Sequence, residues 1–262
     1  MVKMKVRYGL SESAIIGLKG CNFLLHEVAS GQSSGRRFRE MFANVLSCQM
    51  RFCPECGSNS GAHYQCKRAG EYLKSAGKCS VQDLHARSLI SMHSRFAANS
   101  VVRSDFRVRR VWVGPEGAPY SFVAAQIDVQ SHLSKLCRSM AGMETVSRLY
   151  ALLLAIDILH PFEDGNGRLM RGLAFAFSIQ FQCDFFAFLA VYIKVMQDNF
   201  VHALEMAADG VPLELHDFHS VAVEMYQRLL AEPGGFERWL IELLILKEGR
   251  VCDGDSRCHL ID

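Results

Sequence analysis

The chain has 262 residues, half of them hydrophobic and 21% charged, with a formal net charge of only +2. That length can bury a large core, and the composition is ordinary for a globular protein. So small a net charge excludes any charge-based argument for nucleic acid or a membrane surface as partner.

Residues 1–19 read as an N-terminal arm ending in a short helix; the first 20 residues include basic ones but no sustained apolar run, so no signal peptide is expected. Residues 21–50 read as mostly helical and 51–61 as a loop. A polar, Gly- and Ser-rich stretch holds Cys48, Cys53, Cys56, His63 and Cys66, with Cys79 beyond it. Cys53-Pro-Glu-Cys56 is a CxxC knuckle, one half of a structural zinc site. The other half is irregular, so Zn²⁺ is the lesser reading beside free cytosolic thiols. Helices are expected over 63–75 and 81–96, the second capped by Ser80. Residues 108–113 alternate roughly and are β-prone, and Gly114-Pro115-Glu116-Gly117 is a turn, so 106–120 should be a hairpin. Helices follow at 128–139 and 144–159, then 168–180 and 185–208. Two more, 213–230 and 236–247, flank Glu232-Pro233-Gly234-Gly235, and 248–262 reads as a loose tail. The most apolar stretch, 173–193, contains Gln180, Gln182 and Asp184. A membrane span tolerates these poorly, so buried core helices are expected there.

The most informative segment is 160–171, HPFEDGNGRLMR. Pro161 ends the preceding helix, because its ring clashes with the turn before it. Gly165 and Gly167 flank Asn166, so the backbone can turn tightly and approach a ligand. A turn of glycine-flanked amides opening a helix is an anion site. Arg168 and Arg171 share a helical face near that end and can fork onto phosphate oxygens. Asp164 is a hard oxygen ligand suited to Mg²⁺. His160 can serve as a general base, its reference pKa lying near neutrality. One window thus supplies nucleophile activation, metal binding and anion stabilisation together.

These residues match every defined position of the HPFx(D/E)GNGRxxR signature, and the chain resembles Fic-domain proteins over roughly residues 12–204. The resemblance implies an all-α fold: a compact Fic-like helical domain with a small β-hairpin flap. It implies transfer of AMP from ATP to a Tyr, Thr or Ser hydroxyl of a target protein, releasing pyrophosphate. His160 would be the base and Asp164 the Mg²⁺ ligand. Phe162 would anchor the loop. Gly165, Asn166 and Gly167 would form the anion hole, with Asn166 also contacting phosphate. Arg168 and Arg171 would hold the outer phosphates. The hairpin resembles the family's flap, whose strand (Val111, Trp112, Val113, Gly114) pairs with the target's backbone by edge addition. Asn199 and Phe200 fall where the family often lines its adenine pocket. Residues 12–17, ESAIIG, resemble the inhibitory (S/T)xxxE(G/N) helix in degenerate form. Ser13 and Gly17 fit, but Glu12 replaces the first Ser or Thr and Ile16 stands where the inhibitory Glu belongs. The expectation is a helix that does not block the site.

The domain reading is an arm over 1–20, a Fic-like catalytic domain over 21–210 with a Cys-rich insert at 48–79, and a helical extension with a tail over 211–262. The arginines at 103, 107, 109 and 110 read as a solvated edge, or as steering for ATP or an acidic target. Expected partners are ATP and a protein bearing an exposed hydroxyl, this chain's own hydroxyls included (auto-AMPylation), with no nucleic acid and no membrane. A cytoplasmic location follows from the missing leader and span, with secretion as an effector left open. Two alternatives stay open. One is a Fic-like transferase of another phosphate-linked group. The other is a non-catalytic nucleotide- or partner-binding module, which would have no need of His160.

Overall fold

Residues 149–159 are apolar nearly all round, and a helix with no polar face must be enclosed by others. A computed structural model of the chain describes residues 5–21, 23, 35–47, 67–82, 84–96, 105–114, 121–240 and 242. In chain order these form β1 (Lys5–Arg7), α1 (Glu12–Gly20), α2 (Gly35–Ser47), α3 (Lys67–Gly77), α4 (Ala86–Phe96), β2 (Val111–Val113) and β3 (Phe122–Ala124). Then come α5 (Val129–Ser139), α6 (Thr145–Leu159), α7 (Asn166–Phe181), α8 (Asp184–Val195), α9 (Gln197–Ala208) and α10 (Leu213–Ala231). Residues 235–240 are helical as well. The fold is the expected all-α one with a small sheet.

Every residue of α6 from 149 to 159 is buried. α7 packs against it and also against α3, α4 and α8, while α1 and α9 cover its other sides. Glu144 starts α6 as its N-cap, accepting from the Val146 and Ser147 amides at 2.8 and 2.9 Å. The hydroxyl of Tyr150 inside is paired with Nδ1 of buried His219 at 2.9 Å. Aromatic rings fill the space around α8, with Phe188 against Trp239, Tyr226 and Phe236. Burying each such ring is worth about 1.5–3 kcal/mol. Core residues run from Ala14 in α1 to Leu240, so arm and extension share the core with the helices between them.

The sheet order is β1-β3-β2. β2 and β3 are antiparallel, Val111 facing Ala124 and Val113 facing Phe122; the first strand falls within the expected 106–120 hairpin, but its partner lies beyond that range. The arm differs from the expectation. Residues 5–7 are a strand, parallel to β3 with Lys5 opposite Phe122. Three residues carry too little pattern to announce a strand; long-range ion pairs fix it instead. Arg7 pairs with Glu205 and, at 3.1 Å, with Asp209 on the far end of α9. Lys5 reaches the same two carboxylates at 3.3 and 2.8 Å. Asp157 of α6 faces this group from below. Burial first and Glu205 second push its carboxyl up to about 8, against the pull of Arg7.

Three helix expectations change. The helix expected from 81 starts at Ala86, and Ser80 does not cap it. His85 and Ser88 cap it reciprocally: the Ser88 amide donates to His85 Nδ1 at 2.9 Å and the His85 amide to Ser88 Oγ at 3.3 Å. The helix expected over 185–208 is two helices, broken at Met196, where φ is −101° and ψ 36°. The final helix starts at 235, and its continuation past 242, with the 248–262 tail, lies outside the described residues. So do the 51–61 loop and Cys48, Cys53, Cys56, His63 and Cys66. Among the described residues, no helix is long and apolar enough to cross a membrane.

Candidate active site

The site is built where α6 stops. His160 is its C-cap, in the left-handed region at φ 44° and ψ 63°, with its amide donating to the Ile156 carbonyl at 3.1 Å. Left-handed backbone is unusual for a residue with a Cβ. Pro161 removes the helical alternative, and three bonds from one side chain hold the result. The Arg107 guanidinium donates through Nη2 to the Leu159 carbonyl at 2.8 Å and through Nε to the His160 carbonyl at 2.8 Å. Its Nη1 donates to the Arg109 carbonyl at 2.5 Å, and its own amide to the Pro161 carbonyl at 2.9 Å. Arg107 is 3% exposed. The reading of this arginine as part of a solvated edge is therefore overturned: it is a buried clasp on carbonyls that the helix end cannot satisfy.

Nδ1 of His160 is buried without a well-formed hydrogen bond, facing the Asp157 carbonyl. Burial pushes the imidazole down to about 4; the Asp157 carbonyl opposes this, Arg107 adds to it, and Asp164 opposes it. That shift favours the neutral ring.

Asn166 shapes the loop. Its Oδ1 accepts from the Phe162 amide at 3.1 Å and its Nδ2 donates to the Phe162 carbonyl at 2.8 Å. The side chain is 2% exposed, so both ends of the amide expected to touch phosphate are engaged with backbone. Phe162 is the buried anchor, 1% exposed. Its ring stacks on His93 at 3.8 Å between centroids and 11° between planes. His93 in turn donates from Nε2 to the Asp164 carbonyl at 2.7 Å, since a carbonyl can only accept. Burial lowers the pKa of His93, which keeps it a neutral support.

Gly165, at φ 81°, makes the turn and is the N-cap of α7, with no side chain capping the helix. By helix geometry the amides at the start of α7 have no intrahelical acceptor. Gly165's own amide is engaged by Asp164 Oδ1 at 2.6 Å. The other oxygen of Asp164 pairs with Arg168 Nη2 at 2.8 Å, and this carboxylate is 30% exposed. Arg168 is mostly buried, and its Nε has no partner among the described residues. Arg171 folds over Gly167: a Cβ at 167 would lie 3.3 Å from its Nη1. One patch thus gathers a neutral imidazole, a reachable carboxylate, uncapped amides and two guanidiniums. That set fits a polyphosphate with its metal.

The flap residues flank the site. Val113 is buried, Trp112 is 44% exposed, and its Nε1 donates to the Gly114 carbonyl at 2.7 Å. Arg109 at the flap's root is bidentate to Glu163 in the loop, at 3.0 and 3.3 Å. Glu12, Ser13, Ile16 and Gly17 do form a helix, α1, capped by Ser11. It packs on α6 and α9, and Ile16 is 65% exposed. A side chain at 16 projects into water. Asn199 is exposed and Phe200 is buried against Phe218 on α9 and α10. Among the described residues no cluster of three His, Cys, Asp or Glu suits a metal. His93 and Arg107 were missed by sequence reasoning, because each acts through contacts 71 and 52–53 residues away.

Residues 81–178 match the family model of the Fic/DOC family. No curated protein and no solved structure matches the chain.

Proposed function

Residues 81–178 belong to the Fic/DOC family and make this a Fic-type transferase domain, and from that premise we propose that the chain transfers AMP from ATP to a hydroxyl of a protein target. The observation that carries the reading is His160, its Nδ1 turned inward, beside the uncapped start of α7 and its two arginines. A base must be unprotonated to accept, and burial keeps this one so. With Nδ1 turned inward, Nε2 is the nitrogen left for a substrate proton. The target O–H gives its proton to His160, and its oxygen bonds to the α-phosphorus. The bond from that phosphorus to the bridging oxygen breaks, and pyrophosphate leaves. Arg168 and Arg171 suit the outer phosphates, and the first α7 amides suit the charge that develops on them. Asp164 is the residue that would hold Mg²⁺, which neutralises phosphate charge when bound. Edge strand β2 fits a target backbone laid alongside it.

Degenerate Ile16 fits an enzyme with no inhibitory glutamate from α1. The expectation from the packing is that even Ile16→Glu would place its carboxylate in solvent.

The test is label transfer in a lysate with Mg²⁺, using ATP labelled at the α- or the γ-phosphate. Covalent label is expected from the α position alone, and His160→Ala should reduce it by about a hundred- to ten-thousand-fold. Label arriving from the γ position would replace AMP transfer by phosphate transfer. No label from either, with ATP still bound, would make the protein a binding module.

A further inference from the structure

The active-site loop and the flap come from segments about fifty residues apart, yet one side chain bolts them together. Arg107 stands at the root of the flap, four residues before β2. Its guanidinium is divided between the two sides. Nε and Nη2 serve the His160 and Leu159 carbonyls, while Nη1 serves the Arg109 carbonyl, two residues before β2. Its amide adds a backbone rung to Pro161. Burial leaves it no solvent alternative, and among the described residues carbonyl dipoles, not a carboxylate, compensate the charge. A planar fork can satisfy three carbonyls at once; an ammonium cannot meet that geometry. The exposed Arg109–Glu163 pair runs parallel to the clasp, at the rim.

We propose that Arg107 is a positioning residue which couples the register of flap strand β2 to the left-handed backbone of His160, so that the strand holding the target and the base receiving its proton move as one body. This rests on the transferase reading for its kinetic consequence but not for its structural one. The target's backbone is presented by β2 and its hydroxyl must meet His160. A drift of the two relative to each other, with ATP still gripped by α7, lowers turnover without weakening ATP.

Arg107→Ala separates these. The expected result is a fall in turnover of about a hundredfold, the size of effect that an ångström of misplacement produces, with the KM for ATP little changed. Free guanidinium ion at millimolar concentration should restore part of the rate by refilling the vacated position. Hydrogen exchange in the absence of ATP supplies the second readout. Peptides containing 159–162 and 111–113 should both exchange faster in the variant, and both should recover with guanidinium. Wild-type turnover in the variant overturns the proposal, as does faster exchange in only one of the two peptides. Should Arg107→Ala not fold, Arg107→Lys keeps stem and charge but not the fork, and must show the same paired loss of protection. If the wild-type chain transfers nothing from ATP, the transferase reading falls while the exchange result still decides the coupling.

Discussion

His160 shows how burial suits one residue to the role of base proposed for it. An exposed imidazole titrates near 6.5, whereas desolvation brings this one to about 4. In the proposed reaction the active form is the neutral ring, so activity should persist wherever the ring is unprotonated and be lost as pH falls through its folded pKa. The kcat/KM profile should be flat from about pH 6 to 8, with its acid limb well below 6. An acid limb at 6.5 would mean a solvated ring and contradict the packing around Nδ1. The same shift has a stability side. The unfolded ring takes a proton near 6.5 and the folded ring only near 4, so the native state loses stability as pH drops through that window. Asn166 is a second case at this scale. Its side-chain amide pairs with the Phe162 amide and carbonyl, and thus serves as backbone in a loop too short to pair with itself.

Between elements, the closest approach in the site's support is α4 against α7. A Cβ placed on Gly172 would meet the Phe96 ring at 2.3 Å. Gly172→Ala gains helix propensity, about 1 kcal/mol, but drives a methyl into a packed ring, which costs about 1–3 kcal/mol. The ring cannot simply swing away, because Tyr72 packs on it at 5.1 Å. The balance should be a lower midpoint in thermal unfolding; a raised one would show that α4 can slide. This contact also illustrates what was legible in the chain. The boundaries of α6 were readable because caps and proline act on their immediate neighbours. The first strand of the hairpin was readable from β-prone alternation, whereas β3 at Phe122–Ala124 fell beyond the expected range. The start of α4 was misread because His85 with Ser88 formed the cap, an uncommon pairing, while Ser80 only resembled one. The break at Met196 carries neither Pro nor Gly, so nothing local announces it. His93, Arg107 and Gly172 needed the tertiary structure, since each is defined by what lies opposite it.

The whole molecule is closed by charge as well as by oil. β1 is three residues long and its place depends on Arg7 and Lys5 meeting Glu205 and Asp209. Arg7 is only 10% exposed and Glu205 6%, so water does not replace a lost partner. Arg7→Met should cost more than about 1 kcal/mol in urea unfolding, since only the half-exposed Lys5 is left to compensate buried Glu205. The exposed Arg238–Glu232 pair, broken the same way, should cost under about 1 kcal/mol. Equal losses for the two would mean that the β1 network is wet. A last consequence follows from the left-handed seat at 160. Glycine would occupy that seat with no Cβ penalty, about 1–2 kcal/mol cheaper for the backbone. The fold thus tolerates a strained seat at its centre that the proposed chemistry accounts for. His160→Gly should therefore unfold at a higher temperature than the unaltered chain, while lacking the imidazole.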